Sequence, residues 1–319
     1  MLVRFWGTRG SLPTPIRADV VRRKVIAALM VASGRTFADE QAAANFADTE
    51  LEFPIAGTFG GATSCVEIDG GDGDFLVCDM GSGFREFGIS SMERVGSGPK
   101  RTYNIFMSHM HWDHIMGFPF FGPSFDPEVT IRFFGGHDDL EQALRRQQEE
   151  ISFPVPFDWL KANIEFNKLT PGEVIEVGGY KVHTIKQHHS HDSYGYRFEA
   201  DGKSMVYSTD SEHKDGNETS EQAFVDFFDQ ADLVIFDTMY SLADAMTAKQ
   251  DWGHSSNVVA VDLCQRAGAA RVAMFHHDPI HDDEKLHSLH AETIRYEELM
   301  RRNRQLEIIC AYDGLEILL

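Results

Sequence analysis

The chain is short of cations. Its 319 residues hold 29 lysines and arginines against 50 aspartates and glutamates, a formal charge of −21 with histidine neutral. A protein that grips long nucleic acid gains affinity by neutralising many phosphates, so no long nucleic acid is expected as a partner. A small phosphate compound stays compatible, because bound metal ions concentrate positive charge locally. Long apolar runs are also lacking, and none would span a bilayer; no membrane partner is expected. The first residues, Met1-Leu2-Val3-Arg4-Phe5-Trp6, read as a short strand running into Gly7, without the basic, apolar and cleavage regions of a signal peptide. Cysteine is scarce. Cys65, Cys78, Cys264 and Cys310 lie scattered in apolar segments without framework spacing, which excludes a disulfide scaffold and leads to the expectation of reduced core thiols in a cytoplasmic protein. What remains is an ordinary globular composition, 42% hydrophobic, at a length that suits one large α/β domain spanning residues 1–319.

Strand-like runs recur through both halves: Leu2 to Trp6, Ser64 to Ile68, Phe75 to Cys78, Tyr103 to Met107 and Val129 to Phe134, then Lys181 to Ile185, Tyr194 to Glu199, Ser204 to Ser208, Leu233 to Asp237, Arg271 to Phe275 and Leu306 to Ala311. Asp313-Gly314 reads as a hairpin turn before Leu315–Leu319. Helices fit Asp138 to Glu150, Glu221 to Asp229, Asn257 to Ala267 and His290 to Asn303; the third has Ser255-Ser256 as cap and Gly268 as its stop. Two strand-rich halves closed by helices predict an α/β sandwich of two packed mixed sheets with helices outside. Residues 17–56 stand apart as a helical insertion, with helices expected at Asp19 to Ser33 and Phe37 to Asp48. Val21, Val25, Leu29 and Ala32 would line one face of the first, which is expected to be buried, either across a subunit interface or as a roof over the pocket.

Ser108-His109-Met110-His111-Trp112-Asp113-His114 follows an apolar run and packs three imidazoles and a carboxylate into six residues. His109 and His111 alternate and can leave one face; Asp113 and His114 cannot share it, which points to a second metal beside the first. Imidazole and carboxylate ligands suit Zn²⁺, Mn²⁺ or Fe. Three further positions sit just after expected strands: the run Gln187-His188-His189-Ser190-His191-Asp192, Asp210, and His276-His277-Asp278. Rigid strands commonly place such groups in the loops that follow them. Asp210 suits a bridging role, one carboxylate giving an oxygen to each of two cations.

The His-x-His-x-Asp-His run resembles the signature of the metallo-β-lactamase superfamily. Phe5-Trp6-Gly7-Thr8-Arg9-Gly10-Ser11, Gly60-Gly61-Ala62-Thr63-Ser64-Cys65, Asp79-Met80-Gly81-Ser82-Gly83 and Phe275-His276-His277-Asp278-Pro279 resemble its ribonuclease Z-like, cyclic-phosphate phosphodiesterase branch. The likeness covers nearly the whole chain except residues 17–56. It implies His109, His111 and His189 on one metal, Asp113, His114 and His276 on the other, and Asp210 bridging, hence two divalent ions per chain. His189 is selected over His188 and His191 because the family pattern places a histidine six residues before the Gly195-Tyr196-Arg197 triplet. Gly253-His254-Ser255-Ser256 resembles the branch's histidine at a helix start, which faces the site without binding metal. Asp79 is a candidate acceptor that fixes the tautomer of a ligand imidazole. The branch commonly forms homodimers, so a homodimer is implied here too.

The implied reaction is hydrolysis of a phosphodiester by a hydroxide held between two cations roughly 3.5–4 Å apart. Asp113 would orient the nucleophile and His254 would protonate the leaving group. Ribonuclease Z proper carries a glycine- and lysine-rich arm that grips transfer RNA; no such segment occurs in this sequence, so a cyclic nucleotide is the preferred substrate. Phe118, Phe120 and Phe121, in the aromatic run after the cluster, are candidate base-stacking residues. The alternatives are a lactone, lactam or thioester hydrolase, ribonuclease Z-like RNA processing, and a non-enzymatic nucleotide sensor.

Overall fold

A computed structural model of the chain describes residues 1–69, 74–95, 101–213, 218–241 and 253–319. Two seven-stranded mixed sheets stack face to face. The first contains β1 (Leu2–Gly7), β2 (Cys65–Asp69), β3 (Asp74–Cys78), β4 (Arg101–Phe106), β5 (Val129–Gly135) and β6 (Asn163–Lys168), with β14 (Glu316–Leu318) beside β1. The second runs from β7 (Val174–Val177) through β8 (Tyr180–Gln187), β9 (Ser193–Ala200), β10 (Lys203–Ser208), β11 (Leu233–Asp237) and β12 (Arg271–Phe275) to β13 (Glu307–Cys310). In each sheet one half is antiparallel and the other parallel: β3 to β6 in the first, β10 to β13 in the second.

Strand periodicity sorts the side chains into three cores. Val3, Phe5, Leu76 and Phe106 meet Phe198, Met205, Ile235 and Phe275 between the sheets. Their alternates on the first sheet, Val77, Ile105 and Phe133, pack under Phe84 and Phe87 of the helix Phe84–Val95. On the second sheet Val206, Val234 and Val272 pack under the helices Asn257–Ala267 and Asp283–Met300. Because both faces are covered, all five residues of β11 are buried. The helix from Asn257 begins and ends where its caps dictate: the Ser256 hydroxyl accepts from the Val259 amide, and Gly268 takes the left-handed conformation.

Several elements depart from the sequence-based expectation. The helix Phe84–Val95 and the strands β6 and β7 occupy stretches whose polarity disguises them. The last long helix starts at Asp283, capped by the Asp282 carboxylate, rather than at His290. Asp313-Gly314 does not make a hairpin, because β13 and β14 belong to different sheets. The turn carries the chain across the sandwich instead, and the Asp313 carboxylate accepts from Gly61 N, Ala62 N and Thr8 Oγ1. The insertion forms α1 (Ala18–Val31), α2 (Glu40–Glu50) and α3 (Phe53–Ala56). None of α1 is buried, so within one chain Val21, Val25 and Leu29 face solvent instead of the expected cover. Lys24 anchors the helix through Asp283 Oδ2 (2.6 Å) and Gly57 O (2.7 Å). A groove of about 900 Å³ runs between α1 and the segment around Ile280 and Asp283.

The aromatic run is also redistributed. Phe118 and Phe121 are core residues, not substrate contacts: Phe121 stacks on Phe84 at 4.3 Å and Phe118 packs on Phe133. The short 3₁₀ turns there alternate inward and outward, which leaves Phe120 exposed against Phe153. Phe121→Ala should therefore cost about 3–5 kcal/mol and Phe120→Ala less than about 1 kcal/mol, read from urea unfolding midpoints. Equal shifts would contradict this division of the aromatics.

Candidate metal centre

The expected site residues converge where the C-terminal ends of strands from both sheets meet. Asp79 follows β3, His109 to His114 follow β4, His189 follows β8, Asp210 follows β10 and His276 follows β12. Three of them take a left-handed backbone that non-glycine residues seldom adopt: Asp79 (φ 59°), Asp210 (φ 52°) and His276 (φ 58°). The conformation turns the chain sharply at the strand end. Such local strain persists only where the surrounding structure holds it, and it gathers at functional sites.

Two trios of side chains form the centre. His109, His111 and His189 bring one ring nitrogen each within 4.8 Å of one another, and Asp113, His114 and His276 do the same with their ligand atoms. Asp210 stands between them. Its Oδ1 lies 3.7 Å from both His109 Nε2 and His189 Nε2, and its Oδ2 lies 3.3 Å from both His114 Nε2 and His276 Nε2. Asp113 Oδ2 is 3.2 Å from His276 Nε2 and 3.3 Å from His114 Nε2.

The electrostatics of this donor set fit bound cations. Burial lowers the pKa of His109 far below its ordinary value, lowers that of His111 to about 4, and lowers that of His189. These three imidazoles therefore keep free lone pairs, the state a metal requires, and His109 Nε2 is buried with no hydrogen-bond partner. Burial opposes ionisation of Asp113, but His114 and His276 hold it well below the usual carboxylate range. Burial opposes ionisation of Asp210 as well, with His276, His114 and His109 holding it down. His114 goes the other way: burial disfavours its charge, yet Asp113, Asp210 and Asp79 push its pKa well up. Three buried carboxylates, Asp79, Asp113 and Asp210, thus crowd around His114, surroundings suited to a divalent cation.

A surrounding layer of hydrogen bonds fixes the rings. His114 Nδ1 donates to Asp79 Oδ2 at 2.7 Å, which directs Nε2 to the centre. Asp79 also accepts from Ser108 N (2.7 Å), Ser108 Oγ (2.6 Å) and Tyr207 Oη (2.8 Å). His189 Nδ1 donates to Gly253 O at 2.8 Å. The Ser11 amide donates to Asp113 Oδ2 at 2.6 Å, and Gly10 lies so close to the His276 ring that a Cβ would strike it. The strand-to-loop segment from Trp6 to Ser11 thus forms a wall of the site.

His254 faces the same space, its ring 5.2 Å from that of His189 and 5.0 Å from that of His276. Its Nδ1 is 2.9 Å from Asp237 Oδ2. Burial opposes a charged imidazolium, but Asp237, with Asp210 and Asp113 behind it, raises the His254 pKa to about 9. Asp237, Tyr207 and the Ser11 amide were missed by the sequence reading. Asp237 had a readable signal, a carboxylate closing an otherwise apolar strand, as Asp210 follows one. The other two had none, since their partners lie 128 and 102 positions away in the chain. The remaining nearby histidines fall outside the two trios. His191 is exposed and meets Asp139, His188 is exposed, and His277 donates to Ala311 O in the core.

A family model described as a beta-lactamase superfamily domain matches residues 77–277, which run from β3 past His276 and include every centre residue from Asp79 onward. Ribonuclease Z of Methanosarcina acetivorans is 31% identical over 128 residues, 39% of this chain and 39% of that protein, so the match spans well under half of that relative. Among solved structures, the metallo-beta-lactamase fold protein YhfI from Bacillus subtilis is 19% identical, with 99% of each chain covered and a TM-score of 0.63. A diphosphatase from the PhnP family is also 19% identical, with 100% of this chain and 97% of that one covered and a TM-score of 0.59. At such identities these two structures speak for the fold alone. The chain belongs to the beta-lactamase superfamily and has the metallo-β-lactamase fold.

Proposed function

We propose that this hydrolase cleaves a small phosphodiester, a cyclic nucleotide being the preferred class, with two divalent cations. The observation that carries the reading is Asp210, which presents one carboxylate oxygen to each trio. His109, His111 and His189 would hold one cation, and Asp113, His114 and His276 the other, as Zn²⁺, Mn²⁺ or Fe. When bound, such a pair acidifies water and neutralises charge on phosphoryl oxygens. Asp113, held by the Ser11 amide, orients the attacking water. His254 keeps Nδ1–H on Asp237, which leaves Nε2 to deliver a proton to the departing oxygen. The charge of −21 supports a small substrate over a long polyanion. The buried, unpaired cysteines support a cytoplasmic setting.

Turnover of bis-p-nitrophenyl phosphate and of cyclic nucleotides with Zn²⁺ or Mn²⁺, set against nitrocefin and a lactone panel, tests the reaction class. A second reading, cleavage of a transfer RNA precursor, is favoured by the ribonuclease Z relative, and release of a 3′ trailer from such a precursor at physiological salt would establish it. The solvent-facing Val21, Val25 and Leu29 on α1 support a homodimer; Leu29→Asp should shift sedimentation to a monomer, and an unchanged species would remove this support.

Asp210→Ala should lose metal and activity together, and two tightly held equivalents by elemental analysis would refute the bridging position. His189→Ala should be far more damaging than His188→Ala or His191→Ala; similar losses at all three would misplace the ligand. His254→Ala should retain both metals and slow turnover by roughly 10²–10⁴-fold. Asp237→Asn should be slowed in the same direction. A leaving group of low pKa should restore much of either loss, because it needs no proton; an equal loss on every leaving group would exclude proton delivery.

A further inference from the structure

Three exposed apolar side chains from three separate segments stand close in sequence to residues on the Asp113 and His276 side of the centre. Trp112, 79% exposed, lies between His111 and Asp113. Leu12, 61% exposed, follows the residue whose amide binds Asp113. Ile280, 75% exposed, lies four residues after His276. Hydrogen bonds gather two of these segments: Gly10 N donates to His277 O, and the buried Arg9 guanidinium donates to the carbonyls of Asp278 and His281. Trp112 has no aromatic ring contact and no side-chain hydrogen bond among the described residues. Trp6, by contrast, packs on Phe87 and donates to Glu67. An indole left this bare contributes nothing to the core, and its flat apolar face costs solvation unless something covers it.

We propose that Trp112, with Leu12 and Ile280 contributed by the segments tied to Asp113 and His277, is the platform for a planar, uncharged group on the substrate, a nucleobase or aryl ring esterified to the reacting phosphate. The proposal rests on the phosphodiesterase reading above. It replaces Phe118 and Phe121, which the core has taken. Stacking on a ring face requires no cation, which suits a chain this acidic, and it tolerates any base because every base has a π-face. A ligand with one phosphodiester and one neutral ring would place its charge in the centre and its ring on the rim.

The test compares two esters that share the p-nitrophenolate leaving group, thymidine 5′-p-nitrophenyl phosphate and methyl p-nitrophenyl phosphate, using the full-length protein loaded with Zn²⁺. The thymidine ester should be preferred in kcat/KM by about tenfold or more, the order expected for one stacked base. Trp112→Ala should abolish most of that preference, mainly through KM, while elemental analysis still finds the wild-type metal content. Trp112→Phe should keep part of the preference, and Leu12→Ser or Ile280→Ser should each lose a smaller share. A preference that survives Trp112→Ala would overturn the proposal. Binding gives an independent readout: thymidine 5′-monophosphate should quench the intrinsic fluorescence of the zinc-loaded protein, and Trp112→Phe should remove that quench. If neither ester is hydrolysed but this Trp112-dependent quench is present, the platform stands and the reaction reading falls. An equal quench in both proteins, or none in either, overturns the platform.

Discussion

Buried negative charge is the constraint around which this molecule is built. Asp79, Asp113, Asp210 and Asp237 lie in the interior at the meeting edges of two sheets, where an uncompensated carboxylate would be costly. Six imidazoles, one of them, His276, held in the left-handed conformation, surround these carboxylates. Burial lowers the pKa values of His109, His111 and His189, whereas Asp113, Asp210 and Asp79 raise that of His114 against the effect of burial. The pattern is that of a candidate cation site.

The scaffold keeps these groups in register through elements that do little else. β3, β4, β10 and β12 are hydrophobic on both faces and buried, so their C-terminal ends are rigid, and each places a centre residue within one to three positions of its last strand residue. Backbone strain at Asp79, Asp210 and His276 is tolerated because each is fastened further: Asp79 by four hydrogen bonds, Asp210 by its imidazole neighbours, His276 by contact with Gly10. Tyr207 ties the sheets together at this place, since its hydroxyl, from β10, reaches the carboxylate that follows β3. Stability and positioning are therefore the same interactions here.

The aromatic residues divide by what they can touch. Phe84, Phe87, Phe121 and Tyr103 stack into one continuous core beneath the first sheet. Trp112 and Phe120, from the same loop region, are left at the surface. The insertion shows a similar division: α1 is anchored by a polar side chain, Lys24, and keeps its apolar residues outside. Trp112 beside the centre and Val25, Leu29 and Met30 of α1 are among the exposed apolar side chains of the described residues.

The architecture was legible in the sequence wherever local rules decide it. Strand periodicity in both halves implied two packed sheets, the caps Ser256 and Gly268 set the ends of one helix, and the spacing His109 to His114 announced a metal site together with its strand. Strand-end histidines and Asp210 narrowed the candidate ligands, although only a family resemblance separated His189 from His188 and His191. What tertiary structure alone decided concerns partners far apart in the chain. The sequence cannot show that β14 crosses to β1, that Tyr207 and Asp79 share a proton donor and acceptor across the sandwich, or that the Ser11 amide meets Asp113. Nor can composition tell Phe121 from Phe120, because adjacent residues of a tight turn point in opposite directions and only the packed neighbours determine which of the two is inside. Local chemistry specifies elements and ligand types; the pairing of distant segments, which buries one face and leaves another open, specifies the site.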